Sequence, residues 1–276
     1  MNLIITGASG FIGFNLVKYL KKYFNNVIAI SRKNGPFVDK IVNDYKEIIS
    51  YPRESTFLVH LADNNLNNNN SLNIEKSTIK VLSEHFREKL IFSSTAAVYK
   101  DSDKLLHEHN NINISNNYIE SKLLSEKEIL KNNGIVLRLS NVYGINMSKN
   151  NIFYDVLKQI KNKKIYLNNS NVIRDFIFVT DVCYLIKKII TNPVKGIYNV
   201  GTGKGTSIKY LTYEIIKSLG LKVSSYEYIS KYKDKSTLIL DVNNVSKVFG
   251  WEAKVSLKTG VKEFISYEKK NSYLHR

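Results

Sequence analysis

Residues 2–13 read NLIITGASGFIG, and the fold turns on them. Leu3, Ile4 and Ile5 make a short apolar run closed by Thr6, the pattern of a strand buried on both faces. Glycines follow at 7, 10 and 13, and FIGFNLVKYLKKYF (11–24) then carries apolar residues at helical spacing. A side chain at such a turn would keep the backbone away from a pyrophosphate. The helix behind it offers free N–H groups and the positive end of its dipole to the same anion. Tight strand-to-helix turns also use glycine for packing alone, so the triplet needs its surroundings to carry weight.

Those surroundings repeat the strand–helix rhythm. NVIAIS (26–31), TFLVHLA (56–62), KLIFSS (89–94) and IVLRLS (135–140) read as further buried strands. LNIEKSTIKVLSEHF (72–86) and SNNYIESKLLSEKEILKN (115–132) read as helices between them. Alternation of this kind predicts a parallel sheet with helices on both faces, a Rossmann-type doubly wound α/β fold. The second half is less regular. Helices are expected at 153–163, 181–191 and 207–220, a strand at 196–201, and a strand with a short helix in TLILDVNNVSKVFGW. No internal repeat or Pro/Gly/Ser-rich linker appears, and the asparagine run at 64–70 reads as a surface loop.

With 276 residues, 43% of them hydrophobic and 24% charged, the chain can bury one large core, or one core with a small lobe. No run reaches the roughly 18 apolar residues of a membrane span, and no signal peptide is visible. A single cysteine, Cys183, excludes an internal disulfide framework and a cysteine-rich metal site. The expectation is a soluble protein of a reducing, cytoplasmic setting with no metal and no membrane partner. The net charge of +17 is spread along a chain rich in lysine and asparagine. It does not cluster with aromatics on one element, so no specific nucleic-acid partner is expected.

YIESK (118–122) lies on a predicted helix, which puts Tyr118 and Lys122 on one face, four residues apart. A phenol with a pKa near 10 is a poor proton donor or acceptor at neutral pH. A neighbouring ammonium favours the phenolate and brings that value toward the working range. Such a pair is common by chance, but this one falls between the fourth and fifth predicted strands of the main sheet.

TGASGFIG, HLA at 60–62, FSSTAAVY at 92–99, YIESK, RLSNVYG at 138–144, RDFIFVTDV at 174–182 and YNVGTG at 198–203 occur in order. Together they resemble the extended short-chain dehydrogenase/reductase family of nucleotide-sugar epimerases, dehydratases and reductases. The resemblance spans about residues 1–250. It implies a dinucleotide-binding domain over 1–145, rejoined by about 176–202, and a nucleotide-sugar lobe from 146–175 and 203–276. It implies that Thr95 hydrogen-bonds the reacting oxygen, that Tyr118 is the acid/base, and that Lys122 holds the nicotinamide ribose and tunes the tyrosine. Gly7, Gly10, Phe11, Ile12 and Gly13 would cradle the cofactor, with Asp44, Leu61 and Ala62 beside it. Asn141 and Arg174 would meet the substrate's nucleotide and pyrophosphate. Asn141 capping a strand end and Arg174 pairing with Asp175 are the structural alternatives. A homodimer is compatible with the resemblance.

Two departures stand out. Asp63 follows HLA where a small residue is usual. The arginine often placed before the final strand is missing, and Lys231 in KYKDKS is the substitute at about that position, a point charge without a bidentate fork. His60 reads as a packed strand residue and Cys183 as core.

The chemistry divides after Thr95. Dehydratases of the family carry Asp-Glu there, whereas this chain reads Ala96-Ala97 and lacks that acid/base pair. A reductase or an epimerase can run on Thr95, Tyr118 and Lys122. VIAISRKNG (27–35) bears on the choice, because NAD enzymes place an acid at the end of the second strand to accept from the ribose hydroxyls. Ser31 and Arg32 stand there instead, and both can meet a 2′-phosphate. NADP(H) is therefore favoured over NAD(H). The expected activity is NADPH-dependent reduction of the C4 ketone of a nucleotide-diphosphate 4-keto-6-deoxy sugar. The alternatives are a 4-epimerase with tightly bound NAD and a non-catalytic dinucleotide-binding regulator.

Overall fold

The computed structural model describes residues 1–63, 69–232 and 235–271, and of residues 69–73 the backbone alone. The first half runs β1 (Asn2–Thr6), α1 (Phe11–Leu20), β2 (Val27–Ser31), β3 (Lys40–Ile41), β4 (Thr56–His60), α2 (Asn69–Phe86), β5 (Leu90–Thr95), α3 (Asn117–Lys131) and β6 (Ile135–Leu139). The second continues with β7 (Asn141–Tyr143), α4 (Ile152–Gln159), β8 (Lys164–Asn169), β9 (Val172–Phe178), α5 (Val179–Thr191) and β10 (Gly196–Val200). It closes with β11 (Gly205–Ser207), α6 (Ile208–Ser218), β12 (Glu227–Tyr232), β13 (Ser236–Leu238), α7 (Asn243–Phe249) and α8 (Leu257–Lys270). Most of the loop expected at 64–70 lies outside the described residues; Asn69 and Asn70 already belong to α2.

Seven parallel strands line up as β10-β6-β5-β4-β1-β2-β3. Register brings their C-terminal ends to one rim: Thr6 is level with His60 and Ile30, and Thr95 with Leu139. The order reverses direction at β1, which is where a doubly wound sheet opens its ligand crevice. Alternate side chains of β1 go to opposite faces. Leu3 and Ile5 pack with Leu16 of α1 and Leu185 and Ile186 of α5. Ile4 packs with Leu82 and Phe86 of α2 and Ile129 of α3.

Over the rim sits a second layer. β9 is its hub, pairing with β7, β11 and β13, while β8 pairs with β12. Its core is aromatic: Tyr143 stacks on Phe153 at 5.0 Å and meets Phe178 edge-on, with Phe264 of α8 closing behind. One stretch expected in this lobe packs elsewhere. Val245, Phe249 and Trp251, around α7, join the core of the main sheet, and the indole N–H of Trp251 donates to the Asp181 carbonyl of α5 at 3.2 Å. An indole buried to 1% exposure needs both an apolar wall and an acceptor, and α5 supplies both. Among the described residues, no helix is long and apolar enough to cross a membrane.

Candidate active site

The glycine turn is packed from beneath and open from above. Gly7 has φ +68, and a Cβ there would lie 2.8 Å from the Ala62 amide that follows β4. A Cβ on Gly13 would run into the Gly7 carbonyl, which fixes how closely α1 crosses the turn. Gly10 caps α1, and no side chain bonds the helix's first N–H groups. Phe11 and Ile12, the first residues of α1, line a cleft of about 540 Å³. A backbone cradle kept bare at a helix N-terminus fits a dinucleotide pyrophosphate.

The opposite wall of the cleft comes from α3. Asn116 caps that helix by accepting the Ile119 amide at 3.0 Å, so Tyr118 stands in its first turn. Tyr118, Lys122 and Glu126 then follow at four-residue intervals on one face, toward β5 and β6. Thr95, at the end of β5, hydrogen-bonds the Tyr118 phenol and accepts the Ala97 amide at 3.1 Å. Lys122 is nearly sealed, at 5% exposure. Its ammonium donates to the Ser93 carbonyl at 3.1 Å, lies 4.9 Å from the centre of the Phe92 ring, and is 5.7 Å from that of Tyr118.

Asp63 gives that ammonium a partner. Its Oδ2 lies 3.2 Å from Lys122 Nζ, while its backbone carbonyl accepts from Arg32 at 2.8 Å. Burial pushes the Tyr118 phenol above its ordinary value; Lys122 pulls it down, Asp63 pushes it up again, and the Thr95 hydrogen bond lowers it. The net direction is upward, so the lowering expected from Lys122 is outweighed. Asp63 faces the cleft as well.

Beneath the pair lies a buried polar network. Arg138 of β6 and Glu126 of α3 form a two-pronged ion pair, with distances of 2.7 and 3.0 Å and exposures of 3% each. Ser94 donates to the same carboxylate, and Arg138 donates to the Tyr99 hydroxyl at 2.8 Å. The Tyr99 hydroxyl donates in turn to Asn199 Oδ1 of β10 at 2.7 Å. Ser94, Arg138 and Asn199 are level across β5, β6 and β10, one residue below Thr95 and Leu139. The charged residues inside IVLRLS and the α3 pattern were the visible sign of it in the sequence.

The other expected residues separate into three places. Asn141 opens β7 and faces the cleft without capping a strand, and Arg174 of β9 faces it too. Arg174 does not pair with Asp175: it donates to the Ser236 carbonyl and hydroxyl at 3.1 and 2.7 Å. Asp175 points the other way and accepts the Thr202 and Gly203 amides at 2.8 and 3.0 Å. Ser140, next to Asn141, is 9% exposed, and its hydroxyl has no hydrogen-bond partner among the described residues. It borders both the main cleft and a neighbouring one of about 570 Å³ that shares Thr95, Asn141 and Arg174. Nothing in the sequence patterning marks it.

Leu61 faces the cleft and Ala62 supports Gly7. Ser31 and Arg32 lie at the far end, where β2 stops. Ser31 is 3% exposed and shares a hydrogen bond with Ser9 at 2.6 Å; the Arg32 guanidinium is exposed and lies over the Tyr45 ring at 5.4 Å. Asp44 caps a short helical turn by accepting the Lys46 amide at 2.9 Å. Lys231 stands on β12 with its ammonium over Tyr232, and it is not part of the cleft wall.

His60 is packed, as expected. Its Nδ1 bonds Thr6 at 2.9 Å, and its ring stacks on Phe92 and meets Tyr45 edge-on. Burial, then Lys122 and Arg32, lower its pKa to about 3. Cys183 is core, its thiol pushed up to about 12 by burial.

A crevice at the switch point of a doubly wound sheet is where dinucleotide-binding α/β proteins hold their ligand. The Tyr118–Lys122 pair on its rim narrows that class to the extended short-chain dehydrogenases/reductases. Residues 3–201 match the NAD dependent epimerase/dehydratase family, and the chain belongs to it. A Methanocaldococcus jannaschii protein provisionally named UDP-glucose 4-epimerase is 28% identical, over 98% of this chain and 99% of that protein. CDP-abequose synthase of Salmonella typhimurium is 26% identical, over 95% and 97%. In fold, the chain matches the Bacillus anthracis dTDP-glucose 4,6-dehydratase solved with NAD, with a TM-score of 0.82 and 21% identity over 99% and 98% of the two chains.

Proposed function

We propose that the protein reduces the C4 ketone of a nucleotide-linked 4-keto-6-deoxy sugar, using NADPH. One observation carries the choice of cofactor: β2 ends in Ser31 and Arg32, with no carboxylate there to accept from a ribose hydroxyl. Ser31 is already engaged by Ser9, so Arg32 is the residue that would meet a 2′-phosphate. Reduced nicotinamide supplies the hydride when bound. Thr95 and Tyr118 then hold the ketone oxygen, and Tyr118 gives it a proton. Lys122, 5.7 Å from the centre of the Tyr118 ring, would hold the nicotinamide ribose. Asn141, Arg174 and the unpartnered Ser140 hydroxyl hold the nucleotide end of the substrate. Ala96 and Ala97 offer no acid or base beside Thr95, which speaks against loss of water from the sugar.

A 4-epimerase with retained NAD is the second reading, favoured by the name of the Methanocaldococcus jannaschii relative. It would use the same three residues to oxidise and re-reduce one carbon. The deciding experiment offers nucleotide-linked 4-keto sugars with NADPH or NADH, and identifies the sugar formed. Consumption of NADPH with a 4-hydroxy product supports reduction. Release of stoichiometric NAD on denaturing the purified protein, with interconversion of 4-hydroxy epimers and no added cofactor, supports the epimerase instead.

A further inference from the structure

Asp63 is where this chain departs from the pattern of its family, and the site geometry gives the departure a consequence. We propose that Asp63 is a positioning residue for proton transfer: its carboxylate neutralises Lys122 and so keeps Tyr118 a protonated acid. The proposal rests on the reading of Tyr118 as proton donor.

The contacts set up a three-body arrangement. Lys122 Nζ lies 3.2 Å from Asp63 Oδ2 and 5.7 Å from the centroid of the Tyr118 ring. An unaccompanied ammonium in this nearly sealed position would stabilise the phenolate, screened on the side where Tyr118 is 38% exposed. A carboxylate paired with the ammonium at 3.2 Å offsets part of that field. The remaining groups facing the phenol do not replace it. Thr95 on β5 contributes a neutral hydroxyl, His60 behind Phe92 is neutral above about pH 3, and Arg174 faces the cleft from β9. Arg32 approaches through the backbone carbonyl of Asp63 rather than its side chain.

The direction suits reduction. As the carbonyl carbon accepts a hydride, its π electrons move to oxygen, which takes the Tyr118 proton; the phenolate then regains a proton from solvent. A phenol that ionised too readily would arrive without that proton. An epimerase needs the same phenol to serve as base and acid in turn, and gains nothing from a group that holds it protonated.

The geometry also keeps the test clean. Lys122 has a second anchor in the Ser93 carbonyl, and the Asp63 backbone is held by Arg32 whatever its side chain. Removing the carboxylate therefore removes charge and leaves the ammonium in place. If the carboxylate served only to orient Lys122, its loss would let the ammonium leave and the Tyr118 pKa would rise or stay.

The sign of the change decides. Protein with ¹³C-ring-labelled tyrosine, purified free of nucleotide, is titrated by NMR, with the Tyr118 signal assigned from Tyr118→Phe. Asp63→Ala and Asp63→Asn are expected to lower the Tyr118 pKa by on the order of one pH unit. Asp63→Glu should return it toward the starting value. No change, or a rise, in the first two variants overturns the proposal. With NADPH and an accepted keto sugar, the alkaline limb of kcat/KM should move by the same amount. Absence of turnover with every keto sugar would sink the reductase reading, whereas the titration, which needs no substrate, would still judge Asp63.

Discussion

At the Tyr118 end of the cleft, the cation is an ammonium at 5% exposure, held by a carboxylate, a carbonyl and a ring, above a sealed Glu126–Arg138 pair. At the Arg32 end, the guanidinium is exposed, resting on one carbonyl and a tyrosine face. Asp63 touches both, by side chain on one side and main chain on the other. Where water is excluded, a charge depends on each neighbour and shifts the proton affinity of the next group. Where water is present, a charge mostly selects a ligand and adds little to stability. The sealed Lys122 therefore acts on the groups around it, and the exposed Arg32 on what meets it from solvent.

The sharpest break of this contrast is at Glu126. Glu126→Ala leaves the Arg138 guanidinium sealed without its carboxylate, and should cost roughly 3–5 kcal/mol in urea unfolding. The exposed Lys21–Asp39 pair, with 38% and 41% side-chain exposure, should cost under about 1 kcal/mol when Lys21 becomes alanine. Similar losses at the two sites would erase the distinction.

Next in size is Tyr118→Phe, which should leave NADPH affinity nearly unchanged while turnover falls roughly 100-fold or more. Wild-type turnover under conditions limited by the chemical step would remove Tyr118 from its role.

Between the two ends sits His60, and pH probes it. Its folded pKa of about 3 is below the unfolded value near 6.5, so the unfolded chain binds the extra proton as pH falls. Stability is intact above about pH 6.5 and should decline by up to about 1.4 kcal/mol per pH unit down toward pH 3. A His60→Asn variant should flatten the contribution between pH 6 and 4, seen as a shallower fall of Tm with acid. An unchanged slope would mean that other groups dominate the acid limb.

The smallest effect is expected at the exposed end. Arg32→Ala should reduce the NADPH preference roughly tenfold with little change for NADH, the lower end for a charge-assisted bond because the site is wet. The two dissociation constants need one fixed ionic strength. Equal affinities in the wild type would leave the guanidinium as a solvated cation on Tyr45.

The five inner strands and the glycine turn were legible because each is a local pattern: apolar runs of strand length, then helical periodicity. The spacing of Tyr118 and Lys122, one helical turn apart, was local too, though it drew its meaning from its place between two strands. β8 and β12 of the second layer were not legible. β8 alternates buried and exposed residues, and β12 buries none of its residues fully, so neither reads as a continuous apolar run. α8 places Val261, Phe264 and Ile265 at helical spacing, a usable signal lying beyond the last family motif. Lys231 looked like a phosphate ligand from its place before the final strand, but β12 pairs with β8 and carries it away from the cleft.

Patterning along the chain was enough to predict the doubly wound sheet and the glycine turn at its switch point, and to put Tyr118 and Lys122 on one helical face. These follow from short-range geometry, which the order of residues encodes directly. The state of that phenol was settled only in three dimensions. Asp63 reaches Lys122 because β4 ends and α3 begins on the same rim, and Glu126 meets Arg138 because α3 packs against β6. Electrostatic effects scale with burial and distance, and neither quantity exists until the elements have packed.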